Sequence, residues 1–334
     1  MKILILKPSS LGDVVHAIPV LRNLKLAYPS AEIYWWISAE LSSLLESDPD
    51  LTGLFLFHRK KAESPFFWPS LAKEYRRMRR MGFTHVIDLQ SLARSGITAW
   101  LANGEVTIGL DDPREGASTF YDVRVPRPSA HTHAVDWYLQ VLRYFNIRPH
   151  FDFEWLPQRP AAVAKLQREG LRGDRIILNP GARWENKRWP AEYFRELIEL
   201  LSRRFPQTQL VLLGGKSDYQ ISEAIRNGNH STLDLTGRTN LWEMIEVIRG
   251  ARVMVTNDTG PMHIGAAVGT PLVPIFGPTE PMRTGPYGQI ERTLQGKLPC
   301  IPCMKPHCTF SKPLECLRMI GPEQVARVVA ERLR

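Results

Sequence analysis

In the first half of the chain, hydrophobic and polar positions follow a strand pattern and a helix pattern that alternate along the sequence. Short apolar runs of strand type occupy residues 2–7, 31–37, 54–57, 85–89 and 106–110, and apolar residues at helical spacing occupy 14–28, 71–81 and 95–102. Short apolar runs are typical of buried strands, whereas a period of about 3.6 residues indicates a helix. Strands that alternate with helices predict a parallel sheet covered by helices.

A second series of the same kind follows a break. After a predicted helix at 133–145, residues 148–160 carry prolines and no clear period, which is typical of a connection between domains. Beyond it we predict strands at 175–178, 209–213, 253–256 and 272–276, and helices at 191–205, 218–227, 241–250, 262–268 and 323–334. The pattern thus predicts an α/β protein with two Rossmann-like domains, residues 1–155 and 156–320, and a C-terminal helical segment at 321–334.

Length and composition agree with two globular domains. The chain has 334 residues, of which 43% are hydrophobic and 23% charged, so it suits two domains of about 150 residues each and lacks the composition of a disordered protein. No apolar run is long enough for a signal peptide or for a membrane span of about 20 residues, and we expect a cytoplasmic protein. The net charge of +9 favours anionic partners, whether nucleic acid, a membrane surface or an acidic small substrate.

In open parallel sheets, ligands bind beyond the carboxyl ends of the strands, so the loops there are candidate sites. The first such loop, at 9–13, has the sequence SSLGD. It lacks the Gly-x-Gly-x-x-Gly spacing of a dinucleotide site, which argues against a dehydrogenase. Asp13 stands at the start of a predicted helix, where it is either an acid of the first helical turn or a general base.

Two further loops predict a phosphate site in the second half. The loop at 257–263 has the sequence NDTGPMH. There, Thr259 and Gly260 offer backbone N–H groups at a helix start, Pro261 costs no helical hydrogen bond, and His263 adds a donor. The alternative is a capped helix with a buried histidine. In the loop at 179–190, Lys187 is either a phosphate clamp or a solvated side chain.

Taken in order, five motifs resemble those of the ADP-heptose:lipopolysaccharide heptosyltransferases, with heptosyltransferase I-like members the nearest match. They are SSLGDVVH at 9–16, DLQSL at 88–92, NKRWP at 186–190, NDTGPMH at 257–263 and FGPTEP at 276–281, and they cover essentially the whole chain. The resemblance implies a GT-B fold, whose two Rossmann-like domains face each other across a cleft and whose C-terminal helix crosses back onto the first domain. It also implies inverting transfer of a heptose from ADP-heptose to an inner-core acceptor, Kdo or heptose on lipid A, at the membrane surface, with no cofactor required for catalysis.

The same resemblance implies roles for individual residues. Asp13 is expected to be the catalytic base, and Lys187 to hold the donor diphosphate. The other expected donor-binding residues are Asp218 for the ribose, Thr236 and Gly237 near the adenine, Asp258 for the sugar, and Thr259, Gly260 and His263 for the diphosphate. The expected acceptor-binding residues, of which the arginines suit an acidic sugar, are Ser9, Ser10, Gly12, Arg59, Lys60, Arg94 and Arg114.

The chain has four cysteines, which lie within one short segment: Cys300, Cys303, Cys308 and Cys316. In a cytoplasmic chain such clustering points away from disulfides and towards either a structural zinc or iron site or reduced thiols. In neither case do we expect a part in catalysis.

Some features favour other classes of protein. Asp48-Pro49-Asp50 matches the Asp-x-Asp metal motif of GT-A enzymes, but it lies in a predicted loop of the other half, where such acids are ordinary turn residues. A nucleotide-sugar 2-epimerase on the same architecture is the main alternative function. A basic nucleic-acid-binding protein would explain the charge but leave the strand-end loops without a purpose. The basic run at 73–80 suits an exposed helix face or attraction to anionic lipid.

Overall fold

The structure is a computed structural model that describes residues 1–58, 68–226 and 232–334. The chain divides into two compact units, Met1–Pro157 and Gln158–Arg334. Within these described residues, each unit contains one six-stranded sheet in which every strand pair is parallel. The two α/β series predicted from the hydrophobic pattern are therefore confirmed.

Unit 1 has the strand order β3-β2-β1-β4-β5-β6. Its strands are β1 (Lys2–Leu6), β2 (Glu32–Ser38), β3 (Gly53–Phe57), β4 (His85–Asp88), β5 (Val106–Leu110) and β6 (Val123–Val125). Its described α-helices are α1 (Leu11–Ala27), α2 (Trp68–Arg80), α3 (Ala93–Ala102) and α4 (Ala134–Leu139). A 3-10 turn at Gln140–Phe145 continues α4, so the predicted helix at 133–145 consists of two pieces.

Helix α1 is buried on most of its surface, and it packs against α4 and the 3-10 turn that continues α4. Such a helix needs apolar residues nearly all round, yet Arg22 lies within it and is only 5% exposed. Its guanidinium pairs with Asp48 at 2.6 Å and Asp50 at 2.7 Å, which compensates the burial of its charge. The Asp-Pro-Asp motif thus serves an ion pair within unit 1.

Unit 2 has the strand order β12-β11-β10-β7-β8-β9. Its strands are β7 (Arg175–Asn179), β8 (Gln209–Leu212), β9 (Leu233–Asp234), β10 (Val253–Asn257), β11 (Leu272–Phe276) and β12 (Leu294–Gln295). Its described α-helices are α5 (Ala164–Arg168), α6 (Ala191–Arg204), α7 (Tyr219–Arg226), α8 (Leu241–Arg249), α9 (Gly260–Ala267), α10 (Pro281–Thr284), α11 (Glu315–Arg318) and α12 (Pro322–Arg332).

The final helix α12 belongs to unit 2. It packs against α6 and contacts β10 and β11, and Val325 and Val329 are fully buried in the same core as Phe194 and Leu197. These contacts place α12 in the core of unit 2, and the crossing onto the first domain that the resemblance implies stays a prediction. Among the described residues, no helix combines the length and the apolar character that a bilayer span requires.

Candidate functional site

The carboxyl ends of β7 and β10 meet at one edge of the unit 2 sheet, since Asn179 pairs with Thr256 in neighbouring parallel strands. Asn257, which is fully buried, ties the loops there together. Its Nδ2 donates to the Pro180 carbonyl at 2.8 Å, and its Oδ1 accepts from the Trp189 backbone N–H at 3.2 Å. The loop that carries Lys187 is thereby fixed to the end of β10.

A buried carboxylate lies at the centre of this edge. Asp258 Oδ2 accepts from Lys187 Nζ at 2.6 Å and from the Thr279 hydroxyl at 2.6 Å, and the side chain of Asp258 is 5% exposed against 18% for that of Lys187. Lys187 Nζ also lies 4.8 Å from the centroid of the Trp184 ring. Three loops, which follow β7, β10 and β11, therefore converge on one carboxylate.

Helix α9 begins beside this carboxylate. Thr259 is its N-cap in extended conformation, Gly260 is its first residue, and Pro261 stands in its first turn. The first N–H groups of a helix have no acceptor within it, and they carry the positive end of the helix dipole. His263, on the same helix, is buried. The edge thus combines an ammonium group with a helix N-terminus, an arrangement that suits an anion.

Asp218 lies at the neighbouring loop, which follows β8. Its carboxylate accepts from the Gly215 N–H at 2.9 Å and packs so closely over Gly181 that a Cβ at position 181 would overlap it. The Gly237 N–H donates to the Gly214 carbonyl at 2.9 Å. The hydroxyl of Thr236, which is buried, shares a 2.6 Å hydrogen bond with that of Ser222.

In unit 1, Asp13 is the third residue of α1 and faces its own N-cap. Its Oδ2 accepts from the Ser10 backbone N–H at 3.0 Å and from the Ser10 hydroxyl at 2.6 Å. Ser9 precedes this cap, and Gly12 lies in the first helical turn. The expected capping contact of Asp13 is therefore present, and it holds the carboxylate at the carboxyl end of β1.

Lys7 is a charged residue of this edge that our sequence analysis did not single out. It is 3% exposed, donates to the Leu89 carbonyl at 2.8 Å and lies 4.7 Å from the Tyr138 ring centroid. Burial acts to lower the pKa of Lys7, but Tyr138 and the carboxylates of Asp13 and Asp88 outweigh it, so that this pKa lies above its usual value. A signal was available, because Lys7 directly follows β1, where ligands bind in such sheets.

The DLQSL motif closes the end of β4. Asp88 is fully buried; its carboxylate accepts from the N–H groups of Gln90 and Ser91 at 2.8 and 3.0 Å and from the Tyr121 hydroxyl at 2.7 Å. Burial raises the pKa of Asp88, and these hydrogen bonds oppose the increase. The motif therefore supports the loop after β4.

Of the four basic residues expected to bind an acceptor, two are described. Arg94 is exposed, with its guanidinium 4.9 Å from the Phe57 ring centroid. Arg114 pairs with Asp112 at 2.7 Å, and its side chain is 71% exposed. The segments that carry them are joined, since the Ala93 N–H donates to Glu115 at 3.0 Å. Arg59 and Lys60 lie outside the described residues.

The cysteine segment folds around a small, partly open cavity of about 20 Å³. All four cysteines are free and line it, together with Asn186 and Pro278. Burial, together with the neighbouring Cys308, Cys300 and Cys303, raises the pKa of Cys316 to about 11. Within residues 1–58, 68–226 and 232–334, no three cysteine, histidine or acidic side chains are grouped as ligands of one metal ion.

The chain is similar to known proteins along most of its length. Residues 71–313 match Glycosyltransferase family 9 (heptosyltransferase). Lipopolysaccharide heptosyltransferase 1 of Pseudomonas aeruginosa is 29% identical over 355 aligned positions, which cover 98% of this chain and 96% of that protein.

Solved structures show the same fold. The E. coli heptosyltransferase WaaC with ADP aligns with a TM-score of 0.78 at 23% identity, over 99% of this chain and all of that one. The UDP-GlcNAc 2-epimerase of Methanocaldococcus jannaschii aligns over 100% of this chain and 93% of that one, but with a TM-score of 0.55 and 10% identity, so it shares the architecture only. The fold is GT-B, and the chain belongs to glycosyltransferase family 9, the heptosyltransferases.

Proposed function

We propose that this protein is an inverting heptosyltransferase that moves a heptose from ADP-heptose to an inner-core lipopolysaccharide acceptor, either Kdo or heptose. The observation that carries the proposal is the convergence of Lys187, Asp258 and the start of α9 at one sheet edge in a member of glycosyltransferase family 9. That edge suits a nucleotide diphosphate because it combines a partly buried cation with a helix N-terminus.

Lys187 and the start of α9 stabilise the leaving group. As the bond between the sugar C1 and the diphosphate breaks, the negative charge on ADP grows, and Lys187 Nζ with the N–H groups near Thr259 and Gly260 balances it. Lys187 Nζ reaches the diphosphate by turning away from Asp258, whose carboxylate then binds the donor sugar. His263 adds a donor from the same helix. Because these groups supply positive charge, we propose that transfer requires no metal cofactor.

Asp13 acts as the general base. It takes the proton of the acceptor hydroxyl while the hydroxyl oxygen forms the new bond to C1 on the face opposite the diphosphate. The two hydrogen bonds from Ser10 orient its carboxylate, and the buried ammonium of Lys7 favours the ionised form that a base requires.

The remaining residues bind the two substrates. Asp218 accepts from the donor ribose, and the turn at Thr236 and Gly237 borders the adenine. The acceptor contacts the first turn of α1 through Ser9, Ser10 and Gly12, and its acidic groups bind the basic residues Arg59, Lys60, Arg94 and Arg114. In support of this grouping, the hydrogen bond between Ala93 and Glu115 joins the segments of Arg94 and Arg114.

The proposal also places the enzyme in the cytoplasm, where it binds the surface of the inner membrane. The outer side of α2 exposes Lys73, Arg76, Arg77, Arg79 and Arg80, and the neighbouring α3 exposes Trp100 and Ile97, at 61% and 45%. Basic side chains attract anionic lipid, and indole rings favour the interface between membrane and water.

The protein should sediment with vesicles rich in phosphatidylglycerol. This binding should be lost in the double variant Arg76→Glu with Arg80→Glu, and kept in the control Arg203→Glu with Arg204→Glu in unit 2. Equal retention by neutral phosphatidylcholine vesicles would contradict it.

The cysteine cavity supports a structural metal. Four free thiols around one cavity are the ligand set of zinc or of iron in an all-sulfur site. As no three of them are grouped as ligands in the described part of the chain, uptake would need their side chains to turn inwards. Such an ion would stabilise the segment before α12 and take no part in transfer.

The function is tested by incubating the protein with ADP-heptose and a Kdo-bearing lipid A acceptor. Mass spectrometry should show one added heptose per acceptor, and NMR should show inversion at C1. Donor alone should yield no epimer and no rapid release of free sugar, which separates transfer from epimerase chemistry. If neither this acceptor nor one that ends in heptose gains a heptose while ADP binds normally, the assignment of the reaction is wrong.

A further inference from the structure

The cysteine segment contacts two loops of the donor edge through consecutive residues. The Met304 N–H donates to the Pro278 carbonyl at 2.8 Å, and the Lys305 carbonyl accepts from Asn186 Nδ2 at 2.8 Å. Met304 and Lys305 stand between Cys303 and Cys308. One short stretch of chain therefore holds the loop after β7 and the loop after β11 at once.

Both of these loops end at the same carboxylate. Lys187 follows Asn186, Thr279 follows Pro278, and each donates to Asp258 Oδ2 at 2.6 Å. The two loops also touch directly, since a Cβ at Gly277 would lie 2.8 Å from the Asn186 carbonyl oxygen. The contacts form a closed ring from the cysteine segment through both loops to Asp258.

Of the two hydrogen bonds that link Met304 and Lys305 to these loops in the described part of the chain, the one from Asn186 comes from a side chain. It is 5% exposed, and its Oδ1 has no hydrogen-bond partner in the described part of the chain. Leaving a buried polar atom without a partner opposes folding, and the hydrogen bond from Nδ2 to the Lys305 carbonyl offsets that cost. The amide at this position is better explained by what its Nδ2 holds.

The segment that Asn186 holds is otherwise weakly fixed. Residues Glu185–Lys187 form a single 3-10 turn, whose hydrogen bonds have poorer geometry than those of an α-helix. A lysine side chain has many rotamers, so the position of its ammonium group depends on the backbone that carries it. A fixed turn therefore limits where Lys187 Nζ can lie.

We propose that Asn186 is a positioning residue for donor binding: by tying this turn to Lys305, it holds Lys187 where its ammonium group meets the diphosphate. The inference rests on the proposed function of Lys187. Asn186 touches no substrate in this account. Loss of one hydrogen bond of this kind should weaken ADP binding by about threefold to tenfold.

Asn186→Leu is the sharpest variant because it removes the hydrogen bond and the unpartnered oxygen together and keeps four side-chain heavy atoms branched at Cγ. We expect only a small change in melting temperature, because the lost hydrogen bond and the removed unpartnered oxygen have opposite effects on stability, together with the weaker ADP binding in isothermal titration calorimetry. KM for the donor should rise by a similar factor, and KM for the acceptor should stay the same. Asn186→Ser keeps a short hydrogen-bond donor, so its ADP affinity should lie between those of the unchanged protein and of Asn186→Leu. It replaces the leucine variant in the test if that variant does not fold.

Asn23→Leu is the control in unit 1: Asn23 is also buried, and it donates to the His150 carbonyl and accepts from the His150 N–H, each at 3.1 Å. It should leave ADP affinity unchanged. In a Lys187→Met background, Asn186→Leu should add no further loss of ADP affinity, because both changes act on the same contact. Full additivity, or normal affinity of Asn186→Leu, would overturn the proposal. If Lys187→Met itself bound ADP normally, the proposed role of Lys187 would fail, and the inference with it.

Discussion

In the structure, Asp258 Oδ2 accepts hydrogen bonds from Lys187 Nζ and from the Thr279 hydroxyl. Lys187→Met removes the first of these donors and leaves the second. Breaking a buried ion pair on one side costs about 3–5 kcal/mol of folding free energy. Lys187 is 18% exposed and Thr279 still binds, so we expect about 2 kcal/mol here. Transfer should suffer more, because losing one preorganised donor against developing charge lowers kcat by about a hundredfold to a thousandfold.

The assay separates these two effects. The free energy of unfolding is measured by urea denaturation, and the transfer rate by ADP release at saturating acceptor. The double variant Lys187→Met with Asp258→Asn should regain most of the lost stability, because no buried charge is left alone, while transfer stays low. Arg183→Met, which removes an exposed cation from the same loop, controls for the change in net charge and should transfer at close to the normal rate.

The result that refutes this reasoning is a folded Lys187→Met protein whose kcat falls by less than about tenfold. In that case Lys187 would serve only to neutralise Asp258, and the positive charge for the leaving diphosphate would come from α9 alone. An equal loss of transfer in Arg183→Met would point to the overall charge of the loop instead.

Four further outcomes are expected. Asp13→Asn should lower transfer by about a hundredfold or more with nearly unchanged ADP affinity, whereas near-normal turnover would make Asp13 a helix cap alone. Transfer should persist in EDTA; loss on chelation with recovery in magnesium would reopen a metal role for Asp48 and Asp50. Lys7→Met should shift the acid limb of the pH–rate profile to higher pH, because the ionised base loses a neighbouring cation whose raised pKa keeps it charged at neutral pH; an unshifted limb would separate Lys7 from the base. Protein purified without chelators should carry about one zinc or iron per chain, and Cys303→Ser should lower both metal content and melting temperature; metal-free protein with four titratable thiols would leave reduced cysteines as the answer.

Much of the fold follows from local pattern. The apolar runs at β1, β2, β4, β7, β10 and β11 are continuous enough for each strand to be predicted from its own residues, without knowledge of the neighbouring strands. The edge strands β6 and β12 have three and two residues and were not predicted, because so short a segment becomes a strand only through its neighbour in the sheet. Likewise, the sequence does not reveal that α12 packs on α6, since an amphipathic helix specifies an apolar partner but not which one.

The site shows the same division between local and distant information. The rule that ligands bind at the carboxyl ends of parallel strands identified the loops of Asp13, Lys187 and Asp258. It did not identify the pairing of Lys187 with Asp258, because those residues are 71 positions apart and their contact depends on the order β11-β10-β7. The contacts of Asn186 and Thr279 were not predicted for the same reason, because both residues contact chain segments that are far away in the sequence.

Asp13 shows why a helix cap and a catalytic base need not exclude each other. The hydrogen bonds from Ser10 fix one oxygen of the carboxylate at the positive end of α1, and both the dipole and Lys7 favour its charged form. A carboxylate held in this way is weakly basic, which would be a disadvantage if it had to take a proton from a free alcohol. In an inverting transfer the acceptor oxygen loses its proton as the bond to C1 forms, when that proton is far more acidic, so a fixed carboxylate that is ionised before the step can accept it.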